Sequence, residues 1–152
     1  MTEMAINYLG VDDGQFQKNH NFEIPIIRQA FDNIYGNPKN HSYLTFIVVK
    51  KRYHAQTDNM SIRAIVDTTI VQPIQNNFYL NSHTDYQGVN RPPHYHVLLD
   101  EIGFTTNELQ LLTFHLCFAD PPALTTEAIP SVVHQADLAA LDARDLFYND
   151  DE

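Results

Sequence analysis

The side chains best suited to chemistry in this 152-residue chain crowd into two short stretches. One, SHTDYQGVNRPPHYH, carries His83, Gln87, Arg91, His94 and His96, and the other is the basic run Lys50, Lys51, Arg52 and His54. Two chemistries suit them. His94 and His96 stand two apart, so on a strand both point to one face and could ligate zinc together with His83 or Asp100. Alternatively, Lys51, Arg52, His54, His83, Gln87 and Arg91 are hydrogen-bond donors at strand ends converging on a phosphate backbone, with Tyr86 beside them. The third possibility is that these are solvated charges in loops. Spacing alone does not choose among the three.

Positioning such residues requires strands. AINYL reads as a short strand from Ala5 to Leu9, followed by a turn in which Gly10 and Gly14 supply positive φ. Ile26, Ile27, Ala30, Phe31 and Ile34 recur at helical spacing, with Pro25 at a first turn or kink and Gly36-Asn37-Pro38 as the stop. LTFIVVKKRYH is dense in β-branched and aromatic residues and predicts a buried strand that ends in positive charge. Shorter strands are expected at Ala64 to Ile70, Asn77 to Asn81 and His94 to Leu99.

A helix is predicted from Thr106 to Phe118, where Thr105 and Glu108 form a capping box ahead of Leu109, Leu112 and Leu116. A last helix begins after Pro130-Ser131 and runs through Val132, Val133, Ala136, Ala140 and Leu141, with an acidic, fraying end. Strand, helix, several strands and two helices in that order predict a mixed α/β sheet covered by helices.

Composition narrows the function classes. The apolar content of 43% fits a globular unit, and no stretch approaches the roughly 20 apolar residues of a membrane helix. An intracellular, soluble protein is expected. The single Cys117 sits in an apolar run, which excludes an internal disulfide and a Cys-based zinc cluster and reads as a buried thiol. The net charge of −10 argues at first against a nucleic-acid partner. Its distribution softens that objection: residues 1–100 hold 8 Lys and Arg against 9 Asp and Glu, whereas residues 101–152 hold 1 against 10. The acidity belongs to the carboxy-terminal third.

Taken together and in order, GVDDGQFQ, LTFIVVKKRYH, VDTTI, FYLNSH, QGVNRPPHYHVLLDE, ELQLLTFHLC and AIP resemble the second half of the Piwi domain of eukaryotic Argonautes, over most of residues 6 to 140. The pairing of LTFIVVKKRYH with RPPHYHVLLD is the most specific part. The resemblance implies an α/β, ribonuclease H-like mixed sheet with flanking helices over residues 1–145, followed by an acidic tail at 146–152. It also implies guide-directed RNA binding in gene silencing by RNA interference, in the cytoplasm and also the nucleus. Guide and target RNA would be the partners, together with Trp-containing silencing proteins.

Active members of that family cut RNA with magnesium held by carboxylates. The second metal-binding aspartate of the family aligns with Leu9, which has no oxygen to offer, and the fourth position aligns with Asp137. No cofactor and no slicing are therefore expected. Lys51, Arg52, His54, His83, Gln87 and Arg91 stand where the family contacts the guide backbone, whereas Pro122 and Thr125 replace arginines that help to hold its 5′ phosphate. The alternative implied is a protein-interaction remnant that binds no RNA, using the region of Leu109, Leu112 and Phe114, although the helical spacing of those residues predicts that they face the core.

Overall fold

A computed structural model describes residues 2–8, 16–35, 43–50, 61, 63–67, 77–83, 92–119 and 129–149, with backbone alone for 2–8 and 143–149. Its centre is the segment YLTFIVVK. Seven consecutive residues from Leu44 to Lys50 are buried, which only a strand covered on both faces allows. This strand, β2 (Tyr43–Lys50), pairs in parallel with β1 (Thr2–Tyr8) and antiparallel with β5 (His94–Asp100). Beyond β5 lie β4 (Asn77–Leu80) and β3 (Ile65–Val66), so the sheet order is β1-β2-β5-β4-β3.

The period-2 alternation of the strands sorts the core into two layers. Ile47 and Val49 of β2, Phe78 and Leu80 of β4 and Tyr95 of β5 face one way, where they meet Leu109, Phe114, Ile129 and Val133. Those last residues belong to or adjoin the helices α3 (Thr106–Leu116) and α4 (Ser131–Asn149). Leu44, Phe46 and Val48 face the opposite way, onto Ile24, Ile27 and Phe31. A bulge in the β2–β5 ladder between Phe46 and Ile47 lets both Leu98 and Leu99 join that second layer.

The second layer is covered by one helical run. It begins as the short α1 (Phe16–Lys18), passes through a π-helical turn at Asn19–Glu23 and continues as α2 (Ile24–Tyr35). Pro25 is the second residue of α2, where a missing N–H is tolerated, and the wider π turn directly precedes it. Arg28 of α2 forms an ion pair with Glu101, whose carboxylate also accepts from the Leu44 N–H. The helix is thus tied to the far end of β2.

Several boundaries shift from the sequence expectation. β1 begins at Thr2 rather than Ala5, because pairing with Tyr43–Val49 extends it, and Leu9 lies outside the described residues. The strand expected over Ala64 to Ile70 is confined, among the described residues, to Ile65–Val66. Asp67 leaves the ladder and accepts a hydrogen bond from Gln110 Nε2 at 3.1 Å. α3 ends at Leu116 instead of Phe118, and Cys117 caps it, buried as expected. Its neighbour Tyr95 is fully buried, and that burial, helped by the adjacent Cys117 thiol, pushes the phenol well above its ordinary range. Tyr95 is therefore a neutral core residue.

The capping box is formed as the sequence predicts. Glu108 N–H donates to Thr105 Oγ1 at 3.3 Å, and Thr105 N–H donates to the Glu108 carboxylate at 2.9 Å. The bonds from the Thr105 backbone and hydroxyl hold the Glu108 carboxyl below its usual value. Because the folded value is the lower one, this contribution is complete at neutral pH and is lost as pH falls through the carboxylate range. Thr105→Ala is expected to cost about 1 kcal/mol at neutral pH. Thermal melts should show the deficit of Glu108→Gln shrinking on acidification; an unchanged deficit would remove the capping explanation.

Candidate nucleic-acid interface

The strand directions bring Lys50, His83 and His94 toward one end of the sheet, where the segments that carry the other sequence-predicted residues also leave or join it. β1 and β2 run in parallel, so both finish there, at Tyr8 and Lys50. Lys50 pairs with His94, the first residue of β5, and Tyr79 near the finish of β4 pairs with His94 as well. Lys51, Arg52 and His54 follow β2 directly, and Gln87 and Arg91 belong to the connection from β4 to β5. These five residues, and Leu9, lie outside the described residues. His83, three residues past β4, is described and is half-buried. The residues just before it, Asn81 and Ser82, are fully buried and hold its approach to the sheet.

Two cations at this end were not singled out as binding residues from sequence. Lys50, although last in its strand, is 8% exposed, and its Nζ lies 4.5 Å from the centroid of the Phe16 ring. Arg63 is held at the same end by backbone bonds, its N–H donating to Asn81 O at 2.8 Å while Asn81 N–H donates to Ala64 O at 2.9 Å. The side chain of Asn81 completes the clamp by donating to Ser61 O. The available sequence signal for Lys50 was its place in the basic run; a lone Arg63 before an apolar pair carried none.

A ladder of rings lies beneath this end, on the α2 face. Tyr79 stacks on His94 at 4.0 Å between centroids, His94 meets His96 at 3.9 Å, and His96 meets Phe16 at 4.4 Å. The two histidines do share a face, as their spacing requires, and both are buried. The zinc arrangement does not follow. Asp100 stands six residues beyond His94, roughly 20 Å along the strand, where its carboxylate accepts from Thr45 Oγ1 and from the N–H groups of Gly103 and Phe104. Among the described residues no group of three His, Cys, Asp or Glu could hold a metal ion.

Asp137 sits half-buried on α4, the helix that packs against β1. Leu109 and Phe114 are buried in the core and Leu112 is half-buried, so α3 turns these side chains inward, as its periodicity predicts.

A family profile described as the Piwi domain matches residues 6–147. The chain belongs to the Piwi domain family. Protein argonaute 5 of Arabidopsis thaliana is 39% identical over 89% of the chain, and protein argonaute 14 of Oryza sativa subsp. japonica is 36% identical over 89%. The chain spans 15% and 14% of the length of those relatives. The C-terminal lobe of a budding yeast Argonaute superposes with a TM-score of 0.80 at 23% identity, over 90% of this chain and 31% of that one. Kluyveromyces polysporus Argonaute with a guide RNA gives a TM-score of 0.74 at 22% identity, over 90% of this chain and 18% of the other. The ribonuclease H-like fold of the Piwi domain, a mixed sheet with helices on both faces, is thereby shown for this chain.

Within this Piwi domain the contact of Lys50 with Phe16 is open to measurement. A double-mutant cycle of Lys50→Met with Phe16→Leu should return a coupling of about 1 kcal/mol in chemical denaturation. A coupling near zero would show that Phe16 merely covers the strand end.

Proposed function

We propose that this Piwi domain binds a small guide RNA, and through it a target RNA, in gene silencing, without cutting the target. The observation that carries the reading is the placing of positive charge. Lys50, Lys51, Arg52, Arg63 and Arg91 are five of the chain's nine Lys and Arg, and each lies at, or is joined in sequence to, the strand ends on one side of the sheet. In a chain of net charge −10, such concentration of cations fits a polyanion and is wasteful for solubility. His83 and Gln87 add donors for phosphate oxygens. An RNA partner of this kind agrees with a cytoplasmic and nuclear location.

Cleavage needs more than this chain offers. A two-metal site requires several carboxylates around the attacking and leaving oxygens. Leu9 supplies none at the aligned position, and Asp137 alone cannot substitute. On this reading Leu9 and Asp137, at the two aligned positions, do not make a magnesium site. A second reading, docking of Trp-containing silencing partners, draws on Phe22, Ile26 and Ile34, which are exposed at four- and eight-residue spacing along one helical run. Leu109 and Phe114, being core residues, do not contribute to it.

Fluorescence anisotropy with single-stranded RNA should show affinity falling with salt at a slope of roughly −0.7 per phosphate neutralised. Lys51→Ala with Arg52→Ala should flatten that slope by about 1.4. A salt-independent affinity would sink the backbone reading. Incubation of guide-loaded protein with complementary RNA and magnesium should yield no product, and a discrete cleavage fragment would overturn the assignment of inactivity.

A further inference from the structure

A pocket of about 370 Å³ opens where α3 overhangs the β3–β4 edge of the sheet. Its volume falls in the roughly 300–1,000 Å³ range of small-ligand sites, and its lining is mostly apolar with a few polar groups, as such sites require. Ile65 and Leu111 form apolar walls, and both are exposed, so the cavity communicates with solvent. Arg63 borders it from the sheet side, with its guanidinium carbon 4.9 Å from the centroid of the Phe114 ring.

Arg63 holds a backbone conformation that arginine seldom adopts. Its φ is +69°, in the left-handed region favoured by glycine, and it is the one non-glycine residue with positive φ among those described. Strain of this kind persists where surrounding bonds impose it, here the backbone pair with Asn81. The guanidinium borders the pocket while the backbone that carries it bonds to Asn81, two residues before His83. A lone cation near an edge would need no such arrangement.

The polar lining selects among occupants. Gln110 spends its Nε2 on Asp67, which leaves its Oε1 as an acceptor, and Asn107 brings an amide with both donor and acceptor. A planar heterocycle with mixed donor and acceptor edges satisfies these groups, whereas an aliphatic peptide side chain leaves them unpaired. A peptide carboxylate held at Gln110 would also meet the charge of Asp67, which a neutral base does not. Guanidinium planes are, in addition, platforms on which unstacked bases rest.

We infer that this pocket receives one nucleobase, turned out of a single-stranded RNA that passes over the His83 end of the sheet, with the base stacked on Arg63 and edged by Asn107 and Gln110. The inference rests on the RNA-binding reading above and adds a base contact to what would otherwise be backbone contacts alone. Phosphate contacts set affinity and its salt dependence; the base contact adds a term that salt does not change.

The test compares a ten-nucleotide single-stranded RNA with the same strand made abasic throughout, by fluorescence anisotropy on the full chain. The natural strand should bind about tenfold more tightly, a typical worth of one stacked base. Arg63→Gly relieves the strained backbone, so it should melt no lower than the parent, and it should bring the two strands to within about twofold. Leu111→Trp, which fills the pocket, should do the same while leaving the salt slope untouched. If both variants keep the tenfold preference, the pocket is not the base site even though RNA binds. If the parent protein binds neither strand, the RNA reading fails, and titration with adenosine monophosphate followed at the Ile65 and Leu111 methyl resonances decides the pocket separately: shifts support it, and their absence overturns it.

Discussion

Everything in this domain depends on β2 being buried along both faces. From Leu44 to Val49 no residue exceeds 1% exposure, and the apolar side chains divide between two layers, Leu44, Phe46 and Val48 on one and Ile47 and Val49 on the other. At roughly 1.5–3 kcal/mol for each buried aliphatic or aromatic side chain, this single strand gathers a large part of the favourable term for folding. It also fixes directions. Parallel pairing with β1 and antiparallel pairing with β5 leave the connections of four strands at the same end. The rim that holds Lys50 and Arg63 is a consequence of strand topology before it is a property of either residue.

That rim has a structural cost, which the ring ladder meets. Lys50, His94, His96 and Asn77 are buried polar residues on one face, where desolvation is unfavourable unless partners compensate. Stacking of Tyr79, His94, His96 and Phe16, with Lys50 against the Phe16 ring, replaces lost water with close contacts and cation–π attraction. The π-helical turn is part of the same device, for it joins Phe16, seated over the strand ends, to α2, whose Ile27 and Phe31 cover Leu44 and Phe46. One continuous helical run thus seals the polar and apolar ends of a single sheet face.

At the other edge the sheet is finished differently. β3 contributes only two ladder residues, a short edge that offers little template for further pairing. Asp67 leaves the ladder for Gln110 and Arg63 is bent to φ +69° by Asn81, so the edge closes on α3 through side chains rather than strands. The space left between them is the pocket.

The sequence by itself determined the class of fold, the family and the main elements, because each rests on local or linear pattern. Continuous β-branched residues in LTFIVV and the Thr105–Glu108 box act within a few residues of one another, whereas of the helically spaced Ile26, Ile27, Ala30, Phe31 and Ile34 only Ile27 and Phe31 turn onto the sheet, Ile26 and Ile34 being exposed. That Leu9 offers no oxygen is likewise a fact of residue type. What tertiary structure decided is every matter of separation in space. It placed Asp100 at the opposite end of β5 from His94, buried Lys50 under Phe16, and drew Arg63 beside Asn81 and Phe114. Residues 18 and 51 positions apart, as Arg63 is from Asn81 and from Phe114, meet only after the sheet has ordered its strands and α3 has packed on it. No local propensity encodes such a contact, because its energy comes from burial shared by distant segments.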